Sequence, residues 1–190
     1  MKKNNLIIFD FYGVLAGEIA PNFFRNHFEE ENASILKEKY FKPADLGEYD
    51  LKELFTKMAQ DLGFSYEEIY NEFKSYIKPN DELFEYLLKL KKTNYVALLS
   101  NAVKGLFKAY FPNLDFNKYF DKHFISAYYG LAKPDFKFYE LCVNSFNIKF
   151  DNIIMIDDKI YNVKDLYKIG IKGIQFKNNK ELFSELDKYL

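Results

Sequence analysis

Three aspartates stand at the ends of short apolar segments, where their carboxylates could act on a ligand. Asp10 follows Ile7-Ile8-Phe9 and precedes a turn at Gly13, and Asp157-Asp158 follow the apolar run 152–156. An aspartate can serve as a nucleophile or, grouped with other carboxylates, can bind a hard divalent cation. The simpler interpretation is that each aspartate is a turn or helix-cap residue, and for any one of them alone that interpretation stays open.

Ser100-Asn101 and Lys133 occupy comparable places along the chain. Ser100 and Asn101 end the apolar run 95–99, and Lys133 precedes Pro134 and a helical pattern. Because the carboxyl ends of parallel strands meet at one edge of a sheet, residues far apart in sequence can converge there. Taken singly, Ser100-Asn101 is also typical of a helix cap and Lys133 of a solvated loop.

Convergence of the three aspartates would require a cation. Carboxylates about 5 Å apart repel by roughly 3 kcal/mol per pair at an effective dielectric constant near 20. The single ammonium of Lys133 cannot offset that repulsion. Hard oxygen ligands with room for water and an anion favour Mg²⁺ over Zn²⁺.

Strands that alternate with helices are expected to position these residues. The apolar runs predict strands near 7–9, 95–99, 123–127, 152–156 and 172–176. Between the first two strands, the patterns predict helices over 21–28, 33–40, 51–62 and 65–76. Later helices are predicted over 81–92, 103–110, 134–146, 162–169 and 180–190. This alternation indicates an α/β fold in which helices cover both faces of a parallel sheet.

The composition excludes several classes of protein. The chain of 190 residues has a formal net charge of −1, so there is no basic excess to bind nucleic acid or a membrane surface. Cys142 is the only cysteine, which excludes an intrachain disulfide. No apolar run approaches the roughly 18 residues of a membrane span, and the first run is too short for a signal peptide. We therefore expect a cytoplasmic protein of one domain with a modest insertion.

Four segments together resemble a known family. IIFDFYGVL, LLSN, AKP and IMIDD occur in this order and are similar to the four motifs of the haloacid dehalogenase (HAD)-like hydrolases, which use an aspartate nucleophile. The resemblance covers nearly the whole chain and extends to subfamily I, which carries a small helical C1 cap. It implies a Rossmann-like parallel sheet flanked by helices, with a core of 1–16 and 79–190 and an inserted all-helical cap of 17–78.

The resemblance also implies roles for individual residues. Asp10 would attack the substrate and form a covalent aspartyl intermediate. Ser100, with the backbone amide of Asn101, would hold the oxygens of the transferred group, and Lys133 would neutralise the developing charge. The implied Mg²⁺ ligands are the carboxylates of Asp10, Asp157 (directly or through water) and Asp158 and the backbone carbonyl of Tyr12.

Tyr12 departs from the pattern of the family's phosphatases, which carry a general acid–base aspartate at that place. The family's haloacid dehalogenases also have tyrosine there, and Arg25, the only arginine, could then bind a halide or carboxylate. A halide leaves without a proton, whereas an alkyl phosphate benefits from a general acid by roughly 10² to 10⁴ in rate. A haloacid site, however, needs no metal and would leave Asp157 and Asp158 unexplained.

The favoured prediction is therefore a Mg²⁺-dependent phosphatase that acts on a small phosphorylated molecule through an aspartyl-phosphate. Tyr12 would act as its acid, because a phenol with a pKa near 10 can donate a proton but is a poor base. Two alternatives stay open. One is a dehalogenase, and the other is a weakly active or non-catalytic protein that binds a phosphorylated ligand.

Overall fold

Five parallel strands form one sheet at the centre of the computed structural model, which describes residues 4–190. The strands are β1 (Asn5–Phe9), β2 (Tyr95–Ser100), β3 (Lys122–Ile125), β4 (Asn152–Asp157) and β5 (Lys172–Gln175). Their order in the sheet is β3-β2-β1-β4-β5. In β1, Ile8 lies opposite Ala97 of β2 and Met155 of β4. The strands that end near Asp10, Ser100 and Asp157 are therefore neighbours.

Helices cover both faces of this sheet. They are α1 (Ala20–His27), α2 (Glu30–Asp45), α3 (Leu51–Leu62), α4 (Tyr66–Ser75), α5 (Asp81–Leu90), α6 (Leu106–Tyr110), α7 (Phe116–Tyr119), α8 (Phe136–Asn144), α9 (Ile160–Val163) and α10 (Asn179–Leu186). Successive strand residues point to opposite faces. Ile7 and Phe9 belong to the apolar cluster that holds α5 and α10, and Leu6 and Ile8 to the cluster that holds α8. This architecture confirms the expected α/β fold.

The first four helices form one insertion between β1 and α5. The two ends of the insertion lie side by side. Gly17 N donates to Lys78 O at 3.0 Å, and Asn80 N donates to Leu15 O at 2.9 Å. The aromatic and aliphatic side chains of these helices pack on one another within the first apolar cluster. We propose on these contacts that 17–78 is the cap and that 1–16 with 79–190 is the core.

The helix α2 is longer than the predicted 33–40 and runs through Pro43. Pro43 lacks the N–H that would bond one turn back, which normally ends a helix. Burial of Tyr40, Phe41 and Ala44 holds the last turn in place despite that loss. The prediction that the helix ends before Pro43 was therefore wrong.

Two other predicted helix starts were also wrong. The helix expected from Pro134 begins at Phe136, because the Asp135 side chain accepts from Lys137 N and caps it. The helix expected from Val103 begins at Leu106, after Gly105 takes a left-handed φ of +87°. A capping box of Ser65 and Glu68 begins α4, one residue after the predicted start at 65. Within residues 4–190, no helix is both long and apolar enough to cross a membrane.

Candidate active site

A cluster of three carboxylates and one ammonium lies at the carboxyl end of the sheet, and all of these groups except the partly exposed Asp158 are buried. Lys133 Nζ donates to Asp157 Oδ2 at 2.5 Å and lies 2.8 Å from Asp10 Oδ2. Asp158 is the third carboxylate, and one oxygen from each aspartate lies within 4.8 Å of the others. The Lys133 side chain is 1% exposed and that of Asp157 is 0% exposed. The strand ends therefore bring together the charged residues that the sequence singled out.

Asn101 holds the backbone of Lys133. Its Oδ1 accepts from Lys133 N at 2.8 Å, and its Nδ2 donates to Lys133 O at 2.9 Å. These two hydrogen bonds fix the backbone of Lys133, and they thereby help to position its ammonium beside the carboxylates. The sequence resemblance assigned Asn101 only through its backbone amide, so this use of its side chain was missed. Nothing in the sequence pairs the two residues, which are 32 positions apart.

Asp157 is held by three further hydrogen bonds. Asn162 Nδ2 donates to both of its carboxylate oxygens at 3.0 Å, and Lys159 N donates to Oδ1 at 2.8 Å. Asn162 was not predicted as a site residue. Its place five residues after Asp157, in the short helix α9 that follows β4, is a usable signal once that helix is known. These donors keep Asp157 ionised and fixed in position.

The electrostatics of the cluster follow from burial and from Lys133. Burial, reinforced by the Asp157 charge, raises the pKa of Asp10 well above its usual range. Burial also disfavours the Asp157 carboxylate, but the Lys133 charge and the hydrogen bonds from Lys133 and Asn162 outweigh it and lower its pKa. The same two carboxylates outweigh burial at Lys133 and raise its pKa. A further positive charge is what the cluster needs to keep Asp10 ionised as well.

Asp158 completes an oxygen-only donor set that fits a hard divalent cation. Its Oδ1 is buried and accepts no hydrogen bond from any residue in 4–190. Its Oδ2 lies 2.7 Å from Lys159 Nζ, which also pairs with Glu18. Burial, with Glu18 adding to it, raises the pKa of Asp158 to about 6. Carboxylate oxygens in this arrangement suit Mg²⁺.

Gly13 provides the space for the Asp158 carboxylate. A Cβ at Gly13 would lie 2.4 Å from Asp158 Cγ and Oδ2, and the residue has a φ of +83°. We expect Gly13→Ala to displace Asp158 and to weaken Mg²⁺ binding, besides a strain cost of roughly 1 kcal/mol for the left-handed backbone. Mg²⁺ titration calorimetry and thermal unfolding measure the two effects.

Gly63→Ala is the matched control for this substitution. Gly63 has a φ of +78°, and nothing lies within 4 Å of its Cβ position. It shares the backbone strain but has no contact with the site. Equal Mg²⁺ affinity in Gly13→Ala and Gly63→Ala would contradict the placement of Asp158 as a ligand.

A cavity of about 110 Å³ opens in front of this cluster and carries Asp10, Lys133 and Asp158 on its wall. Tyr12 and Asn101 also line it. The Tyr12 hydroxyl is buried and has no hydrogen-bond partner among residues 4–190. Burial, with the charges of Asp10 and Asp45 nearby, raises the pKa of Tyr12 well above its usual value. Tyr12 is therefore held as a neutral phenol beside the site.

Two predicted substrate-binding residues differ in their placement. Ser100 Oγ, at the end of β2, is buried and has no hydrogen-bond partner in the described chain, and Ser100 does not line this cavity, so its binding of an oxyanion stays a prediction. Arg25 does not line the cavity. It is exposed on α1 and bonds Pro21 O at 3.1 Å within its own helix. The binding of substrate by Arg25 stays a prediction, and in this structure Arg25 lies outside the cavity that Asp10 lines.

The insertion instead contributes α2 to the cavity. Lys37, Phe41 and Asp45, spaced four residues apart, line its wall. Ile19, Pro21 and Phe73 add an apolar surface. Sequence periodicity missed Asp45 because it ended this helix at residue 40, and it placed Lys37 on the helix without indicating that Lys37 faces the site.

Comparison with known proteins gives a family match and several relatives. The model of the haloacid dehalogenase-like hydrolases matches residues 5–164. The glyceraldehyde 3-phosphate phosphatase of Pyrococcus furiosus is 32% identical over 107 residues, which is 53% of this chain and 42% of that protein. The chain thus spans less than half the length of this relative.

Solved structures share the fold. A HAD family enzyme from Bacteroides thetaiotaomicron, in complex with magnesium and inorganic phosphate, is 22% identical with a TM-score of 0.76. The match covers 95% of this chain and 99% of that one. The L-2-haloacid dehalogenase of Xanthobacter autotrophicus, with chloropropionic acid covalently bound, is 18% identical with a TM-score of 0.62. It is matched over 84% of its length and 100% of this chain.

Proposed function

The chain belongs to the haloacid dehalogenase-like hydrolases, and on that premise we propose that it is a Mg²⁺-dependent phosphatase. Its substrate would be a small phosphorylated molecule, whose phosphoryl group passes first to Asp10 and then to water. One observation carries this proposal. Asp10, Asp157 and Asp158 lie within 4.8 Å of one another, beside a buried Lys133.

Asp10 is placed to act as the nucleophile. It follows β1 directly, its N–H donates to Ile156 O at 2.9 Å, and its Oδ1 accepts from Phe11 N at 2.7 Å. These bonds orient the carboxylate toward the cavity. Attack by a carboxylate oxygen on phosphorus would form an aspartyl-phosphate, which divides hydrolysis into two easier steps.

The neighbouring residues would bind the phosphoryl oxygens. Lys133 carries a positive charge on the cavity wall, and the backbone N–H of Asn101, which also lines the cavity, would donate a hydrogen bond. Ser100 Oγ, buried and without a partner in the described chain, would donate another. Asp10, Asp157, Asp158 and the Tyr12 carbonyl would hold Mg²⁺. When bound, Mg²⁺ neutralises charge on these carboxylates and on the phosphoryl group. The insertion would close the cavity and exclude water.

Phosphoryl transfer fits the cluster better than dehalogenation. Release of a halide requires no cation. In a dehalogenase, the electrostatic repulsion between the Asp157 and Asp158 carboxylates would therefore be an unfavourable free energy that serves no function. The phosphatase from Pyrococcus furiosus and the magnesium and phosphate in the Bacteroides thetaiotaomicron enzyme support the same choice. Tyr12 and the dehalogenase of the same fold favour the second candidate, a 2-haloacid dehalogenase.

A panel of phosphorylated and halogenated small molecules, assayed with Mg²⁺ and with a chelator, tests this proposal. We expect phosphate release that requires Mg²⁺ and is lost in the chelator, because the uncompensated cluster repels an incoming phosphate. Halide release independent of metal would contradict the proposal and support the dehalogenase. Tight binding of phosphorylated compounds without turnover would instead indicate the non-catalytic alternative.

A further inference from the structure

The helix α2 places an acidic side chain on the wall of the cavity that the nucleophile also lines. Asp45 lies in its last turn, and it lines the same cavity as Asp10 and Tyr12. Lys37 and Phe41 lie on the same stripe of the helix, one and two turns earlier. Asp45 is the one carboxylate among the described cavity-lining residues that belongs to these inserted helices, and none of the steps above uses it.

The proposed phosphatase needs an acid that Tyr12 is poorly suited to supply. An alkyl phosphate leaves as an alkoxide, and a positioned general acid contributes roughly 10² to 10⁴ in rate. The buried phenol of Tyr12 has a raised pKa, so it donates its proton less readily than a free phenol. It is also unable to take a proton from water at neutral pH. Another group must alternate between acid and base.

We propose that Asp45 is this general acid and base, reaching the leaving group from the cap side of the cavity. The proposal rests on the phosphatase function proposed above. In the first step, an Asp10 oxygen bonds to phosphorus, the bond to the leaving oxygen breaks, and the Asp45 proton passes to that oxygen to give the alcohol. In the second step, the Asp45 carboxylate takes a proton from water. The hydroxide attacks phosphorus, the bond to Asp10 breaks, and hydrogen phosphate leaves.

The surroundings of Asp45 suit this cycle. It is half-buried, and the charged groups that act on it are Lys37 and Glu38 of its own helix and Lys133 of the core. Lys37 is already paired with Glu38 at 3.0 Å. Burial raises the pKa of Asp45 to about 7, against the opposing charges of Lys37 and Lys133. Both its acid and its carboxylate form are therefore populated at neutral pH, as a group that works in both directions requires.

Several other charged groups on the cavity wall are held in ion pairs. Lys159 pairs with Asp158 and Glu18, and Lys133 bridges Asp10 and Asp157. Each of these carboxylates is bound by a lysine in the described chain. Within residues 4–190, the Asp45 carboxylate takes part in no hydrogen bond or ion pair, which leaves its proton available for transfer.

Asp45→Asn in the full-length protein with Mg²⁺ tests the proposal through leaving-group dependence. With an alkyl phosphate such as ethyl phosphate, kcat/KM should fall by about 10²-fold or more. With p-nitrophenyl phosphate, whose leaving group needs no proton, kcat/KM should stay within about tenfold of the original. For p-nitrophenyl phosphate, the kcat and the KM of Asp45→Asn should both fall, because hydrolysis of the aspartyl-phosphate becomes slow. Nitrophenol should then appear in a burst.

The pH profile provides a second readout. For the unsubstituted protein, kcat/KM on ethyl phosphate should fall as pH rises through about 7, because the acid form of Asp45 is lost. That alkaline decline should be absent in Asp45→Asn. Titration of the substrate itself is common to both proteins and cancels in the comparison.

Glu48→Gln is the matched control, since it removes the same charge from an exposed residue three positions away. This substitution should leave kcat/KM unchanged for both substrates. Equal losses on the two substrates in Asp45→Asn, or no loss on either, would overturn the role of Asp45 while leaving the phosphatase intact. Absence of Mg²⁺-dependent phosphate release from both substrates by the unsubstituted protein would overturn the proposed function and the role of Asp45 with it.

Discussion

Replacement of Asp10 by Asn is expected to abolish turnover on every substrate while the protein stays folded. The amide is nearly the same size as the carboxylate, so packing at the end of β1 is preserved. It is not a nucleophile toward phosphorus, and loss of a covalent nucleophile typically costs on the order of 10⁴-fold or more in rate. Steady-state phosphate release with Mg²⁺ measures this loss, and thermal unfolding checks that the fold is intact.

Asp187→Asn serves as the control for Asp10→Asn. Asp187 is exposed at the end of α10, and the same chemical change there should leave turnover unaltered. Activity of Asp10→Asn close to that of the unsubstituted protein would show that another group attacks the substrate. The assignment of Asp10 as the nucleophile would then be wrong.

Lys133→Met should have the largest effect on stability. The ammonium lies between the buried carboxylates of Asp10 and Asp157, at 2.8 and 2.5 Å. Removal of one partner from a buried ion pair typically costs 3–5 kcal/mol, roughly, because the remaining charge is left uncompensated. Methionine keeps most of the length of the side chain, so the loss of charge dominates. Urea unfolding in the presence of a chelator measures the change in free energy.

Added Mg²⁺ should restore part of the stability lost in Lys133→Met. The cation binds the folded cluster and supplies the positive charge that the substitution removed. Lys164→Met, at an exposed lysine of the same chain, should be close to neutral with and without Mg²⁺. Lys133→Met as stable as Lys164→Met would contradict the charge balance described for the cluster.

Much of this site could be predicted from the sequence, because several of its residues directly follow apolar runs that form strands. The apolar runs before Asp10, Ser100 and Asp157 form β1, β2 and β4, which are adjacent in the sheet. Burial on both faces of a parallel sheet demands uninterrupted apolar residues, so these strands were recognisable without tertiary information. The first polar residue after each run then falls at the shared edge.

The helical insertion was less predictable. Its helices and their approximate limits follow from apolar spacing, but α2 continues through Pro43 because packing of Tyr40, Phe41 and Ala44 outweighs the lost hydrogen bond. That last turn carries Asp45 into the cavity. Local sequence rules end the helix too early, and they therefore missed Asp45 as a residue of the site.

Side-chain partners between distant segments were also out of reach. The two bonds from Asn101 to Lys133 and those from Asn162 to Asp157 depend on how loops pack after folding. Arg25 shows the converse, because its residue type suggested anion binding but its helix directs it to the surface. Residue type sets what a side chain can do, whereas tertiary packing decides where it does it.

Mass spectrometry of the acid-quenched protein during turnover of p-nitrophenyl phosphate with Mg²⁺ tests the account most directly. We expect a phosphoryl group on the peptide that contains Asp10, and no phosphoryl group when a chelator is present. A phosphoryl group on a different residue, or phosphate release at an undiminished rate by Asp10→Asn, would contradict it.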